Sequence, residues 1–260
     1  AVYVFTRGAQ GWSHQSYLKA RNVGAGDKFG MAVALSGNGN TLAVGAVYED
    51  SGATEVDGDE ADHPTGVSFG AAYVFTRDEA GSWDQQAYIK ASNADHLDQL
   101  GWSVALSADG NALVVSAPFE DGSATGVNGD PASNAEGNSG AVYVFARSAN
   151  SWTQQAYVKA SNTGRLDTFG MALSLSSDGS TLAVGAHSEQ SAGRGLNAVS
   201  DEGAPGAGAA YVFKRTAGSW VQQAFVKASN TDPDDRFAYG LALSGDGNSL
   251  AVGAILEDSK

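Results

Sequence analysis

The chain has 260 residues, with 15 Lys+Arg against 29 Asp+Glu, a net charge of -14, no cysteine and 34 glycines. That charge repels phosphate backbones and anionic headgroups, which excludes nucleic acid as a partner. The missing cysteines exclude disulfides, thiolate metal sites and a cysteine nucleophile, and the apolar runs are too short for direct membrane insertion.

In chain order, the first strand is Ala1-Val2-Tyr3-Val4-Phe5, followed by Arg7 and then by the phrase from Trp12 to Lys19. The start carries neither the charged region nor the small-residue cleavage site of a signal peptide, so an export signal is absent from this chain and is expected to have been removed already. Val33-Ala34-Leu35-Ser36 and Thr41-Leu42-Ala43-Val44 flank Asn38-Gly39, a type I′ hairpin signal, and a long segment from Val47 to Gly70 leads to the next Tyr-Val-Phe strand at Tyr73. The whole pattern then repeats. The tryptophans Trp12, Trp83, Trp152 and Trp220 are 71, 69 and 68 residues apart. Arg77, Arg147 and Arg215 return after their strands, and Asp109-Gly110, Asp178-Gly179 and Asp246-Gly247 repeat the hairpin signal. Helical periodicity is absent.

Sixteen short strands in four packets predict an all-β fold, a four-bladed β-propeller with four antiparallel strands per blade. A single such sheet cannot cover both of its faces, so the packets must stack on one another. The chain begins at the third strand of a unit and ends after the second strand of another. The expectation is therefore one domain, with blades at about 23-93, 94-162, 163-230, and 231-260 plus 1-22. Its ring would be closed by pairing of the N- and C-terminal strands. The alternative is that these residues are a piece of a longer chain with more blades.

The phrases Phe29-Gly30, Leu42-Ala43-Val44-Gly45-Ala46 and Gly70-Ala71-Ala72-Tyr73-Val74-Phe75, repeated along nearly the whole chain, resemble the FG-GAP repeat, the blade unit of integrin α-subunit propellers and of many bacterial exported proteins. The resemblance is closest to the bacterial type. It implies an extracytoplasmic protein, secreted, periplasmic or at the cell surface, that binds proteins or glycans and is not an enzyme. Integrin-type repeats carry a calcium loop between the first two strands of a blade. Here that position holds a tight turn, Ser36-Gly37-Asn38-Gly39-Asn40, too short to wrap an ion wanting six to eight oxygens.

Three long segments, Val47 to Gly70, Pro118 to Gly140 and His187 to Gly208, are the expected seats of function. Asp57, Asp59 and Asp62 in the first, and Asn128 and Asp130 in the second, offer hard oxygens around a turning glycine and suit Ca2+; the same residues also read as solvated loop. Asp27, Asp98, Asp167 and Asp235 recur before the Phe-Gly step. They read either as an axial ring of carboxylates that recruits a cation or as local caps on backbone amides. Trp12, Trp83, Trp152 and Trp220 read as sugar-stacking sites or as packing between blades, and Trp102, at a position otherwise held by Met31, Met171 and Tyr239, as the lining of a pocket. The arginines read as structural hydrogen-bond donors at strand ends. No catalytic residue is assigned: the histidines (His14, His63, His96, His187) fall at unrelated points of the repeat.

The functional expectation is a non-catalytic extracytoplasmic module that binds a protein partner or joins a larger assembly, with Ca2+ as the one possible cofactor. The alternatives are a carbohydrate-binding lectin with repeated glycan sites and a hydrolase or lyase using the axial face.

Overall fold

The computed structural model describes residues 1–63, 67–198 and 201–258. Parts of two long segments, 64–66 and 199–200, and the last two positions of the expected final blade lie outside the described residues. The fold is all-β. Strands β1 (Val2–Gly8) and β2 (Gly11–Leu18) form a two-stranded sheet. A first complete sheet holds β3 (Val33–Leu35), β4 (Thr41–Ala46), β5 (Ala71–Arg77) and β6 (Trp83–Ile89). The second holds β7 (Val104–Leu106), β8 (Ala112–Ala117), β9 (Ala141–Ser148) and β10 (Ser151–Val158); the third holds β11 (Ala172–Leu175), β12 (Thr181–Ala186), β13 (Ala209–Thr216) and β14 (Ser219–Val226). A final pair, β15 (Phe237–Leu243) and β16 (Leu250–Ala254), stands alone. Every complete sheet is an antiparallel meander in sequence order.

The hairpin signals form turns of a different type from the one expected. Only the glycine of each Asx-Gly pair takes a positive φ, at Gly39, Gly110, Gly179 and Gly247 (67° to 71°). The preceding Asx instead folds its side chain back: Asn38 Oδ1 accepts the Asn40 amide, and Asp109 Oδ1 accepts the Asn111 amide. The connection is therefore a type I turn closed by a left-handed glycine, with a serine hydroxyl (Ser36, Ser107, Ser176, Ser244) donating to the same side-chain oxygen.

Each sheet has two unlike faces, because side chains alternate along a strand. On one face stand the aromatics of the Tyr-Val-Phe phrase, such as Tyr143 and Phe145; on the other stand small residues, such as Ala72, Val74 and Ala87. Consecutive sheets stack aromatic face on small face. One core cluster packs Tyr143, Phe145, Tyr157 and Trp152 over Ala43, Ala72, Val74 and Ala87; another packs Tyr211, Phe213 and Trp220 over Val114, Val142, Val144 and Ala156. Full burial of a large apolar side chain contributes about 2 kcal/mol, so each seam is a substantial source of stability.

Two backbone contacts set how closely the sheets approach. The inner turns are linked in series, with the amides of Gly37, Ala108 and Ser177 donating to the carbonyls of Ala108, Ser177 and Gly245 at 2.8–2.9 Å. Where each long segment ends, a glycine with φ of 80° to 84° (Gly70, Gly140, Gly208) lies against the backbone of the next repeat, whose Leu100, Phe169 or Phe237 amide donates to the neighbouring Phe69, Ser139 or Ala207 carbonyl.

The expected closure of the ring is not formed. Among the described residues β1 pairs only with β2, β16 only with β15, and the inner strands run in series β3, β7, β11, β15 without the last returning to the first. The angle between neighbouring sheets is set by the bulk held in each seam, and four such angles do not bring β16 to β1. Repeat counting reports the number of sheets; it carries no information about that angle.

At Gly140 a side chain would meet both a left-handed φ and the Phe169 carbonyl oxygen at 2.2 Å from the added Cβ. Gly140→Ala is expected to cost about 2 kcal/mol or more, read as a lower urea midpoint.

Candidate functional site

The long segments start and end on a buried ion pair that recurs in all three complete sheets. Lys90 Nζ lies 3.0 Å from Glu49 Oε2, Lys159 Nζ 2.6 Å from Glu120 Oε2, and Lys227 Nζ 2.7 Å from Glu189 Oε2. All six residues are buried. The glutamate follows the second strand of its sheet and the lysine follows the fourth, so the pair spans the sheet at the root of the segment.

Further valences are filled around Lys90 and Lys159. Lys90 also donates to the carbonyls of Ser51 and Gly70, which hold the beginning and end of the same segment. Lys159 donates to Ser139 Oγ. Glu120 accepts from Tyr157 Oη, the Asn93 amide group and the Gly122 backbone amide. The carbonyls of Glu49, Glu120 and Glu189 accept the amides of Gly70, Gly140 and Gly208. An asparagine completes each cluster: Asn22, Asn93 and Asn162 donate to the glutamate and accept from Tyr73, Tyr143 and Tyr211. Burial pushes the Lys90 and Lys159 amines below their ordinary value, against the opposing pull of the adjacent glutamate. It also pushes the Tyr143 and Tyr211 hydroxyls well above theirs.

The carboxylates at Asp27, Asp98, Asp167 and Asp235 do not form an axial ring. Each is buried and accepts a backbone amide three residues earlier, from Gly24, Asp95, Gly164 or Asp232, at 2.8 Å. The charges acting on Asp27, Asp98 and Asp167 come chiefly from the glutamate of the same cluster, Glu49, Glu120 or Glu189. Desolvation raises Asp98 from 3.8 to about 8 and Asp167 to about 7, and one oxygen of Asp167 has no hydrogen-bond partner among the described residues.

The residues expected to hold Ca2+ lie in the long segments and bind backbone. Asp57 Oδ1 accepts the Tyr88 amide and Asn128 Oδ1 accepts the Tyr157 amide. In return the amides of Asp57 and Asn128 donate to the carbonyls of Tyr88 and Tyr157. Asn197 does the same on Phe225 in the third segment, where the sequence showed no Asx-Gly-Asp core. Asp59 and Asp130 cap the amides of Ala61 and Ala132, and Asp62 bridges to Ser51 through the backbone. Among the described residues no three His, Asp or Glu side chains are placed to share a metal ion.

The tryptophans are packing residues wherever a preceding sheet is complete. In all four hairpins joining the third and fourth strands, the second residue of the Gln-Gln position (Gln15, Gln86, Gln155, Gln223) is skipped in the pairing register, a β-bulge. The bulge aims that side chain across the seam: Trp83 Nε1 donates to Gln15 and Trp152 Nε1 to Gln86. Arg77 and Arg147 lie over those indoles at 5.8 and 5.5 Å and donate to Asn40 and Asn111, the structural role expected for them. Trp220 is buried with its N–H unpartnered among the described residues, because Gln155 turns back to Thr153. Trp12 alone is open, at 72% exposure. Trp102 is half-buried, edge-on to Phe119 at 5.4 Å.

Four sequence-similar, bulge-bearing units stacked face to back define a blade-repeat protein. A family model of the FG-GAP repeat matches residues 12–75, 83–145, 152–213 and 220–260, and the chain belongs to that family. No curated protein matches it in sequence. Among solved structures, the crystal structure of Saccharomyces cerevisiae Sqt1 is similar at a TM-score of 0.41 and 11% identity, covering 79% of this chain and 38% of that one.

Two outcomes test the buried cluster. Lys159→Met strands the Glu120 charge and is expected to cost about 3–5 kcal/mol by urea denaturation, with much of the loss recovered when Glu120→Gln is added. Asp98 and Asp167 hold their protons more tightly folded than unfolded, so their contribution to stability falls as pH rises from 3.8 towards 7 and 8. Asp98→Asn with Asp167→Asn should flatten that decline in urea midpoints measured across the interval.

Proposed function

We propose that this chain is a non-catalytic, extracytoplasmic interaction module, an arc of β-propeller blades that holds its long segments out to a protein partner. The observation that carries this reading is the buried lysine at the root of each segment. A lysine that ties Glu49, Ser51 O and Gly70 O together fixes both ends of a segment that has little regular structure of its own. Such rigid presentation lowers the entropy lost when the segment is bound.

The chemistry displayed is acidic. Glu55, Asp57, Asp59 and Asp62 are exposed on the first segment, Asp130 on the second, and Asp201 and Glu202 on the third. The matching partner is a protein surface rich in Lys and Arg. Export agrees with the family, since FG-GAP repeats are typical of extracellular proteins, and no helix among the described residues is long and apolar enough to cross a membrane. The repeated-site lectin draws no support from the indoles, because Trp152 and Trp220 are buried and cannot stack on a sugar.

The test is a binding panel of secreted proteins of basic and acidic isoelectric point, read by surface plasmon resonance at low and physiological salt. Binding of basic partners that weakens with salt, and falls several-fold in Glu55→Gln/Asp59→Asn/Asp62→Asn at unchanged melting temperature, supports the reading. Binding insensitive to both salt and these substitutions overturns it.

A further inference from the structure

Two arginines of neighbouring sheets line one polar cavity. It measures about 370 Å³ and lies where the first and second complete sheets meet, with Asn38, Asn40, Arg77, Asn111, Arg147 and Asn150 in its walls. These residues belong to the tight turns and hairpins at the end of the sheets opposite the long segments. The volume falls within the range of about 300–1,000 Å³ of small-molecule sites. Such sites are mostly apolar, but no large apolar side chain lines this one, so a ligand here is held through polar groups.

The guanidiniums are half-buried and held in place. Besides stacking over Trp83 and Trp152, they reach across the seams: Arg77 Nη1 donates to Gln15 and Arg147 Nη1 to Gln86. Arg147 Nη2 has no partner among the described residues, and none of their carboxylates forms an ion pair with either guanidinium. Burial holds Arg147 below its ordinary value against the pull of Asp109, so its charge is incompletely compensated. Two unpaired cations on one cavity stand out in a chain of net charge -14. The turn of the first sheet also departs from its repeats. Asn38 stands where the others carry Asp109, Asp178 and Asp246, which keeps a carboxylate off this wall. At the next seam Asp109 and Ser180 take the places of Asn38 and Asn111, leaving that end more acidic and poorer in amides.

We propose that this cavity binds an anionic sugar, one whose ring carries a carboxylate or a sulfate. The charged group is met by Arg77 and Arg147, whose planar forks match the geometry of an oxyanion. The ring hydroxyls are met by the side-chain amides of Asn38, Asn111 and Asn150, which both donate and accept hydrogen bonds. An acidic peptide would bring apolar side chains for which the cavity has no matching surface, and a bare inorganic anion would leave the amides unused. Because the indoles and glutamines already fix the guanidiniums, little side-chain freedom is lost on binding. The cavity is remote from the acidic segments, so the proposal stands whether or not those bind a basic partner.

The test is isothermal titration calorimetry of the full chain with oligogalacturonate, a sulfated galactan oligosaccharide, a neutral galactose oligomer of matched length, a glutamate-rich peptide, and inorganic phosphate and sulfate. Saturable binding of either charged sugar, with the neutral oligomer at least ten-fold weaker, supports the proposal, and the stronger of the two tells whether a carboxylate or a sulfate is preferred. The variants are Asn38→Asp, which introduces the residue the other repeats carry and so keeps the turn, and Asn150→Asp at an exposed hairpin position. Each sets a carboxylate in the cavity wall and should weaken binding ten-fold or more at unchanged melting temperature. Absence of saturable binding of both charged sugars overturns the proposal, as does binding of the peptide or the inorganic anions as tight as theirs. Sugar affinity unchanged in both folded variants places the ligand elsewhere and overturns it too.

Discussion

A lysine ammonium buried in a β-protein is expensive to desolvate, and here three of them sit at matching points of three sheets. Each is compensated by a glutamate at hydrogen-bond distance, and Lys90 and Lys159 also by oxygens of the chain around them. The demand for that compensation dictates the course of the chain nearby. The glutamate must leave the second strand in one conformation, the segment must return so that its closing glycine binds the glutamate carbonyl, and the tyrosine and asparagine must fill the remaining valences. A polar cluster of this kind contributes less through net energy than through the single arrangement that satisfies it. Segments of some twenty residues are thereby held at both ends without a regular element of their own.

The stacking of sheets obeys a second constraint, the difference between their faces. An aromatic face fits a small-residue face and cannot fit another aromatic one at the same spacing, so the order and direction of the sheets are fixed locally at each seam. The bulged glutamine reinforces this direction. At Gln15 and Gln86 it reaches forward to the indole of the next sheet, while the preceding glutamine of a repeat reaches backward: Gln154 binds the Ser92 amide and Gln85 the Arg21 amide, both in the preceding repeat. Each of the three complete sheets is thus specified by its neighbours on both sides, the nearest-neighbour logic of repeat proteins.

Strand number, strand order and the hairpin positions were legible in the sequence because they depend on local alternation and on turn chemistry, both repeated four times. The packing role of Trp152 and the structural role of Arg77 were likewise among the readings the sequence allowed. Ring closure was not legible, since the angle between sheets is a property of side-chain volumes in a seam. The acidic residues misled for a related reason. Asp57 and Asn128 look like ion ligands when only residue types are read, but the Tyr88 and Tyr157 amides that occupy them belong to strands about thirty positions away. The lysine-glutamate pairs carry a signal in the sequence: Lys90, Lys159 and Lys227 close each outer-strand phrase, and Glu49, Glu120, Glu189 and Glu257 recur three residues past the second strand. A charge that returns at constant phase inside an otherwise apolar phrase marks a buried partner, whereas charge-rich stretches are accommodated freely by solvent.

The inner turns carry a further implication. Gly37, Ala108, Ser177 and Gly245 are joined to one another through main-chain groups alone, and all that the position requires of a side chain is smallness. A spine of that kind does not recognise which unit comes next. Duplicating or deleting one whole repeat leaves every remaining link unchanged, so the length of such an array is free to drift by unequal recombination while each seam keeps its fit.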